Sequence, residues 1–575
     1  MLSILVLALL VLFGGRLVYI QGFQASALAA DALAQRTVTV DLPARRGTIS
    51  DANGVVLATS VSRYDVSVNQ TELAGYKHVD ATTHEVTGTG PAEAARLVAP
   101  LLSMDPAELA ADFTGDRKFK YIKKQVLPET WDAIKALGIH GVYATEVSER
   151  VYPSGTIAGN VLGFVGGDGD GQAGVELSLQ SKLAGTPGTV TYERGRTGHV
   201  IPTGNEATTA AQPGSDVELT IVRDIQYVAQ HALDEQVKRF GASGGSVIVT
   251  DTRTGAVYAL AESGSIDPND PTAGSRANLG STAAADVFEP GSTAKIITMG
   301  ALLETGRATP LSRFKVADTY TSANNQVFHD SHEHPRERWT LTGILSESSN
   351  TGTVMAGQQL PEQVRYDFLS KFGFGAKTGI ELGGESRGIL HPVADWDGRT
   401  KYNVLFGQGV SVTALQANSV YATVANGGKR VTPHLVKATV DPDGTRHETA
   451  PTVGDQVISS KVSKQLLTML ESVVSDGTGN LGAINGYRVA GKTGTAQAAD
   501  ASGHMNDIVA SFIGVVPADN PRLAISVIIK NPSDKISIYG GTVAAPVFSE
   551  VGSYALQELG VEPSTSKAKL YKEKW

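Results

Sequence analysis

The sequence predicts an α+β protein with at least two globular domains behind an N-terminal membrane helix. Three observations carry this. Leu2 to Ile20 is almost wholly apolar; residues up to about Pro213 read as an extended, strand-rich segment with scattered helices. From Asp216 the pattern changes to a strand, a helix over Asp224 to Phe240, and two strands at Ser246 to Thr250 and Ala256 to Ala261. A chain of 575 residues is too long for one core, and 41% hydrophobic residues are ample for two.

The apolar run is just long enough to span a hydrocarbon core if Arg16 snorkels to the interface, and it reads as a signal anchor. Ala25-Ser26-Ala27 and Ala27-Leu28-Ala29 resemble signal-peptidase sites, so cleavage is the competing reading. Only Met1 precedes Leu2, whereas Arg16, Arg36, Arg45 and Arg46 follow it, against the positive-inside rule; a basic cytoplasmic segment ahead of Met1 is therefore expected.

Within the strand-rich segment, helices are expected at Gly90 to Leu102 and Ala107 to Phe113, with no nucleophile or metal cluster. Gly166 to Gly174, with Asp168 and Asp170, resembles a calcium loop, but Gln172 and Ala173 stand where later ligands and a glycine belong, and a glycine turn is expected. The formal charge of −9 argues against a nucleic-acid partner, and no basic stripe with interleaved aromatics is expected on the surface. Absence of cysteine excludes disulfides, thiol catalysis and thiolate zinc sites.

The chemistry centres on Phe288-Glu289-Pro290-Gly291-Ser292-Thr293-Ala294-Lys295. A Pro-Gly break before good helix formers puts Ser292 at a helix N-terminus and Lys295 one turn later on the same face. A serine hydroxyl needs a base in reach to act as a nucleophile, and burial beside positive charge would let Lys295 serve. Alone, Ser-x-x-Lys arises by chance in chains of this length and reads more readily as a capping serine and a solvated lysine. Two further elements change the balance. Ser348-Ser349-Asn350 follows an apolar helical run, Trp339 to Ser346, and Lys492-Thr493-Gly494-Thr495 closes a strand-like segment, Tyr487 to Gly491. That strand should lie at a sheet edge beside a cleft, followed by strands at Val509 to Val516 and Leu523 to Lys530.

A second Lys-Thr-Gly, at Lys377 to Gly379, sits in a glycine-broken loop without a preceding strand and takes a structural turn role. His329, His332 and His334 cluster around Asp330 and Glu333, but a Pro-ended loop lacks the fixed geometry of a metal site; the loop is expected to border the cleft or face solvent.

Ser-x-x-Lys, Ser-x-Asn and Lys-Thr-Gly in this order resemble the motif set of penicillin-recognising serine acyltransferases. With Arg46 to Gly54, Arg150-Val151-Tyr152-Pro153, Gly174-Val175-Glu176 and Phe406-Gly407-Gln408-Gly409, the chain resembles a class B penicillin-binding protein, specifically the septal transpeptidase of a high-GC Gram-positive bacterium, from about Arg16 to Val561. The resemblance implies a membrane anchor over residues 1–21 and a pedestal domain over 22–213. It further implies a transpeptidase domain over 214–561, an antiparallel sheet flanked by helices, and leaves 562–575 as a basic, disordered tail.

It also implies the roles. Ser292 would attack the carbonyl between the terminal D-alanines of a stem peptide, with Lys295 taking its proton. Ser348 and Asn350 would complete the proton network, Lys492 would add positive charge, and Thr493, Gly494 and Thr495 would bind the substrate. Backbone amides of Ser292 and Thr495 would form the oxyanion hole. A neighbouring stem-peptide amine would then resolve the acyl-enzyme, and β-lactams would stall there. No cofactor or metal is implied. The implied partners are the membrane-embedded septal glycosyltransferase and other division proteins, with the catalytic domain outside the cell membrane on a single-pass anchor. A catalytically silent division scaffold, a D,D-carboxypeptidase and a β-lactamase remain as alternatives.

Overall fold

The computed structural model describes residues 1–80, 82–195, 201, 204–273, 279–498 and 507–575. They form two compact units that interleave in sequence. The first holds Met1–Gly47, Ser60–Glu149 and Ala184–Ser215; the second holds Thr48–Thr59, Arg150–Leu183 and Asp216–Trp575.

In the first unit, helix α1 (Leu2–Val18) runs on through a π turn at Tyr19–Phe23, giving 22 residues long and apolar enough to cross a membrane, with none of them buried. A small core lies further along. The helix Gly90–Leu102 buries Ala94, Ala95, Val98, Ala99 and Leu102, the stripe that helical periodicity dictates, together with Leu109 and Phe113 of the helix Pro106–Phe113. The latter helix starts one residue earlier than the sequence suggested, because Asp105 caps the amides of Ala107 and Glu108 and Pro106 takes the first position.

One surface of this unit departs from expectation. The exposed run Arg117, Lys118, Phe119 leads into the strand Lys120–Val126, where Tyr121, Lys123 and Lys124 are also exposed, so a basic stripe with interleaved aromatics does exist. Part of its charge is already engaged: Lys120 pairs with Asp112 at 2.7 Å, Lys123 donates to the Leu102 carbonyl, and the Lys124 ammonium lies 4.8 Å from the Tyr121 ring centre.

In the second unit, α2 (Arg223–Phe240) leads to β1 (Gly244–Asp251) and β2 (Val257–Glu262). Then come α3 (Lys295–Glu304), α4 (Leu341–Ser346), α5 (Asn350–Gly357), α6 (Ala414–Ala425) and α7 (Ser460–Ser475). The chain closes the sheet with β3 (Ala490–Ala498), β4 (Asp507–Val516) and β5 (Leu523–Lys530), and covers it with α8 (Ala545–Glu558). The sheet is antiparallel throughout in the order β2-β1-β5-β4-β3. Alternation assigns its faces: Val247, Val249, Ile525, Val527 and Ile529 pack with α2 and α8, whereas Ile248, Ala524 and Ile528 point into the core formed by α3, α6 and α7.

Two early segments join this unit through specific pairings. Ile49 lies parallel to Val217, and Asp51 accepts from the Arg223 amide at the start of α2. Arg150 donates to the fully buried Glu176 at 2.8 Å. The segment over residues 166–174 is a tight glycine turn closed by a bridge between Val165 and Gly171.

The expectation of a disordered tail is corrected. Lys574 bridges to Trp339, the Glu573 carbonyl accepts from the Thr340 amide, and Lys574 pairs with Glu337. The guanidinium carbons of Arg313 and Arg338 lie 5.1 and 5.4 Å from the Trp575 ring centre, and its Nε1 donates to the carbonyls of Phe314 and Trp339. Tyr571 packs on the core, whereas Trp575, itself exposed, is held by its hydrogen bonds and the neighbouring guanidinium groups, contacts that composition alone hides.

Candidate active site

Ser292 sits in a 3-10 turn, Gly291–Ala294, that feeds directly into α3. The turn is pressed against the edge strand β3. Gly291 has φ +52°, and a Cβ there would come within 2.9 Å of the Ala496 Cβ. On its other side Gly291 donates to the Gly407 carbonyl at 2.9 Å, so Gly407-Gln408-Gly409 buttresses the nucleophile turn. Glu289 fastens the same loop by accepting from the Gly409 amide at 2.7 Å.

Lys295 is fully buried. Its Nζ donates to Asn350 Oδ1 at 2.8 Å, to the Ser348 carbonyl, and at 3.5 Å to Ser348 Oγ. Burial away from water pushes its pKa down to about 7, against the pull of the Asp330 carboxylate. An amine so placed is uncharged half the time near neutral pH, which suits a base. Ser292 is not among its hydrogen-bond partners in this geometry; acting as base requires Nζ to turn towards Ser292 Oγ, a tightening common when substrate binds.

Ser348 adopts φ +61°, the left-handed conformation that few residues other than glycine tolerate, and this turns the chain from α4 into α5. Ser349 then caps α5 by accepting from the Gly352 amide at 2.9 Å. Asn350 follows as the first helical residue, with its Nδ2 donating to the His329 carbonyl at 3.2 Å, which leaves Oδ1 facing Lys295.

Across the cleft, Lys492 to Thr495 lie within β3, which begins at Ala490; the motif does not close a strand that runs from Tyr487, as the sequence suggested, but forms the strand itself. β3 is the edge strand, as expected. Lys492 is fully buried, and desolvation followed by repulsion from Lys295 holds its ammonium well below the ordinary lysine range. Thr493 bonds Thr478 hydroxyl to hydroxyl at 2.8 Å, and Thr495 Oγ1 accepts from the Gly540 amide at 3.3 Å. Gly494 has no room for a side chain, since a Cβ would stand 2.3 Å from Ser511 Oγ and 3.0 Å from Thr293 Cγ2.

Ser292, Ser348, Asn350, Thr493 and Thr495 line one cleft of about 450 Å³. All eight sequence-predicted residues thus converge, six beside the cleft or on its wall strand and the two lysines beneath. Lys377-Thr378-Gly379 lies elsewhere: Thr378 gives both its amide and its hydroxyl to Glu385, the bonding of a structural turn. The histidine loop borders the cleft through Ser331 and His332. Sequence reasoning missed Asp330, Glu289, Thr478 and the Tyr539–Gly541 wall. Glu289 was detectable from its place beside Pro290-Gly291, whereas nothing local marks the others.

Two family models match the chain: the penicillin binding protein transpeptidase domain over residues 245–552, and the penicillin-binding protein dimerisation domain over residues 41–219. The chain is 35% identical to penicillin-binding protein PbpB of Mycobacterium tuberculosis over 97% of its own length and 84% of that protein's. It is 32% identical to the peptidoglycan D,D-transpeptidase FtsI of Escherichia coli K12, covering 90% of this chain and 84% of that one. Among solved structures, a peptidoglycan synthetase of Bifidobacterium adolescentis superposes with a TM-score of 0.75 at 36% identity, covering 94% of this chain and 100% of the other. Penicillin binding protein 3 of Mycobacterium tuberculosis in complex with aztreonam gives 0.69 at 29% identity, covering 93% and 100%. A dimerisation domain followed by a transpeptidase domain, with Ser-x-x-Lys, Ser-x-Asn and Lys-Thr-Gly gathered around one cleft, makes this chain a class B penicillin-binding protein.

Proposed function

We propose that this protein is a peptidoglycan D,D-transpeptidase that crosslinks stem peptides during septal wall synthesis and is acylated by β-lactams at Ser292. The observation that carries the reading is that Ser292 lines one cleft with Ser348 and Asn350, both of which bond to Lys295, a buried amine with a pKa of about 7 one helical turn after Ser292. Ser292 Oγ bonds to the carbonyl carbon of the penultimate D-alanine and loses its proton to Lys295. The proton passes through Ser348 to the departing amine of the terminal D-alanine as the C–N bond breaks. Asn350 holds the donor stem, and Lys492 keeps the Ser348 side of the cleft positive. Thr493 and Thr495 bind the stem's carboxylate, with Gly494 letting β3 approach the Ser292 turn. Backbone amides of Ser292 and Thr495 receive the oxyanion, a contribution of about 3 kcal/mol per donor. A second stem peptide's amine then attacks the acyl-enzyme and returns Ser292 to its free form.

The apolar helix supports a single-pass anchor; the catalytic domain is proposed to lie outside the cell, where peptidoglycan is crosslinked, and the first unit to act as a pedestal that meets the septal glycosyltransferase and other division proteins. The division proposed is an anchor over 1–21, a pedestal over 22–213 and a catalytic domain over 214–561. Incubating the protein and a Ser292→Ala variant with a fluorescent penicillin, followed by intact mass, tests the chemistry. Stable labelling of the wild type alone is expected. Rapid decay of the label would instead indicate a hydrolase of the β-lactamase type, product analysis with stem peptides separates a carboxypeptidase, and no labelling of folded wild type would indicate a silent scaffold.

A further inference from the structure

We propose that Asp330 is a positioning residue for the reaction: its carboxylate locks the turn from Ser348 to Asn350, and with it the two groups that engage Lys295. This rests on the acyl-enzyme reading above. Asp330 lies on the histidine-rich loop between two short strands and the strand Glu337–Thr340, some twenty residues ahead of the motif it holds.

Its two oxygens accept from the whole N-terminal turn of α5. Oδ1 takes the amides of Asn350 at 2.5 Å and Thr351 at 2.9 Å. Oδ2 takes the Ser349 hydroxyl at 2.6 Å and faces His334 Nε2 at 3.0 Å, while the Thr351 hydroxyl, 3.2 Å away, gives its hydrogen to the Ala317 carbonyl at 2.7 Å. Two backbone amides and the Ser349 hydroxyl thus all donate to this one side chain, a set that suits a group with two acceptor oxygens. The side chain is 5% exposed, so water cannot substitute for any of these bonds. Ser349, while donating to Asp330, accepts from the Gly352 amide, so the middle residue of the motif is clamped from both sides.

The clamp reaches the reacting groups by two short routes. The residue before Asp330 accepts from Asn350 Nδ2 through its carbonyl, which sets the amide so that Oδ1 meets Lys295 Nζ at 2.8 Å. The Ser348 backbone, held in its left-handed conformation between α4 and the clamped Ser349, presents both its carbonyl and its hydroxyl to the same Nζ. Freeing the first turn of α5 would release Ser348 and Asn350 together.

Asp330 has an electrostatic role as well. Lys295 and Lys492 are both buried, and Asp330 is the carboxylate that acts on Lys295 against its desolvation. His334, held by burial and the Asp330 bond with a net rise above the usual histidine range, packs on Trp339 and feels Asp318; Glu347 and His332 stand at the cleft wall. Removing the Asp330 charge therefore lets the Lys295 pKa fall further.

Asp330→Asn tests this, because the amide oxygen still accepts from Asn350 and Thr351 while the hydroxyls can turn to accept from its nitrogen, so the fold survives. Second-order acylation by fluorescent penicillin would be followed from pH 5.5 to 9 on the full chain, with thermal melting alongside and Asp330→Ala as a second variant. The expected result for Asp330→Asn is a plateau lowered about ten- to a hundred-fold, an acid limb moved down by about half a pH unit or more, and a melting temperature within a few degrees of wild type. Asp330→Ala should lose more rate with the same downward displacement of the limb. An unchanged rate and limb in Asp330→Asn, or a loss of rate with the limb in its wild-type place, would overturn the proposal while leaving the acyl-enzyme reading intact. Failure of the wild type itself to acquire the label would overturn both.

Discussion

Lys295 is where structure, pH and chemistry meet most directly. Its pKa of about 7 means the free-amine fraction is roughly one-tenth at pH 6 and nine-tenths at pH 8, so acylation by a fluorescent penicillin should rise about tenfold across that interval and then level off. The same shift has a stability consequence of definite sign. The folded chain binds the Lys295 proton more weakly than the unfolded chain, whose value is near 10.5, so stability from this group is complete above pH 10.5 and is lost as pH falls through the folded value. At pH 9 the penalty amounts to about 2 kcal/mol and at pH 6 to about 5. Lys295→Met should therefore abolish acylation and yet gain on wild type by about 2–3 kcal/mol between pH 9 and pH 6, whatever constant cost arises from leaving Asn350 Oδ1 and the Ser348 carbonyl without a donor. Lys492, relieved of its neighbour's charge, changes in the same direction. Urea unfolding at the two pH values measures the difference. A difference that stays constant with pH, or a wild-type acylation rate flat from pH 5.5 to 8.5, would refute the assignment of a neutral amine to this site.

Gly540→Ala would place a Cβ 2.2 Å from the Ser511 carbonyl oxygen and 2.4 Å from that of Gly494; both belong to backbone, so β3 and β4 must shift. Acylation should fall at least about tenfold, with a stability loss of about 1–3 kcal/mol in a thermal melt. Lys377→Ala, in the second Lys-Thr-Gly, removes an exposed side chain remote from the cleft and should leave the acylation rate within about twofold of wild type. Trp575→Ala removes two hydrogen bonds and the ring contacts with Arg313 and Arg338, and should cost about 1–3 kcal/mol in thermal or urea unfolding; an unaltered melt would mean that the tail's docking contributes nothing.

What could be read from the chain was whatever is encoded locally. Pro290-Gly291 before helix formers announces the Ser292 turn, and short, near-continuous apolar runs rich in Val and Ile announce β4 and β5, because composition and turn chemistry act over a few residues. β3 was harder to delimit. Gly491 and Gly494 look like breakers, yet each is small because a partner fills its space: a Cβ on Gly491 would lie 2.5 Å from Phe512 Cζ, and one on Gly494 would strike Ser511. The tail failed for a different reason. Its composition is that of a solvated end, and its order depends on backbone pairing with a strand more than two hundred residues earlier, which no local pattern displays. Asp330 belongs with the tail: nothing in His329 to Pro335 shows that one carboxylate will cap α5. The pairing of Ile49 with Val217 was equally hidden, so a linear division of the chain cannot reveal how its units interleave.

The cleft is costly to maintain, and the architecture explains how the chain tolerates it. Two lysines are withdrawn from water beside each other, with one carboxylate acting on the first of them, and Ser348 is held in a backbone conformation that disfavours its side chain. None of these features stabilises the fold. They are carried by elements whose order is determined elsewhere: β3 by its full pairing with β4, the Ser292 turn by Gly407 and by the bond from Tyr421 to the Thr293 carbonyl, and α5 by Asp330. Each motif is thus gripped from outside by a group that takes no part in bond making. Relaxing the strained Ser348 turn or either buried lysine would therefore require breaking sheet pairing or a buried cap, so the costs of the cleft are carried collectively by the surrounding fold.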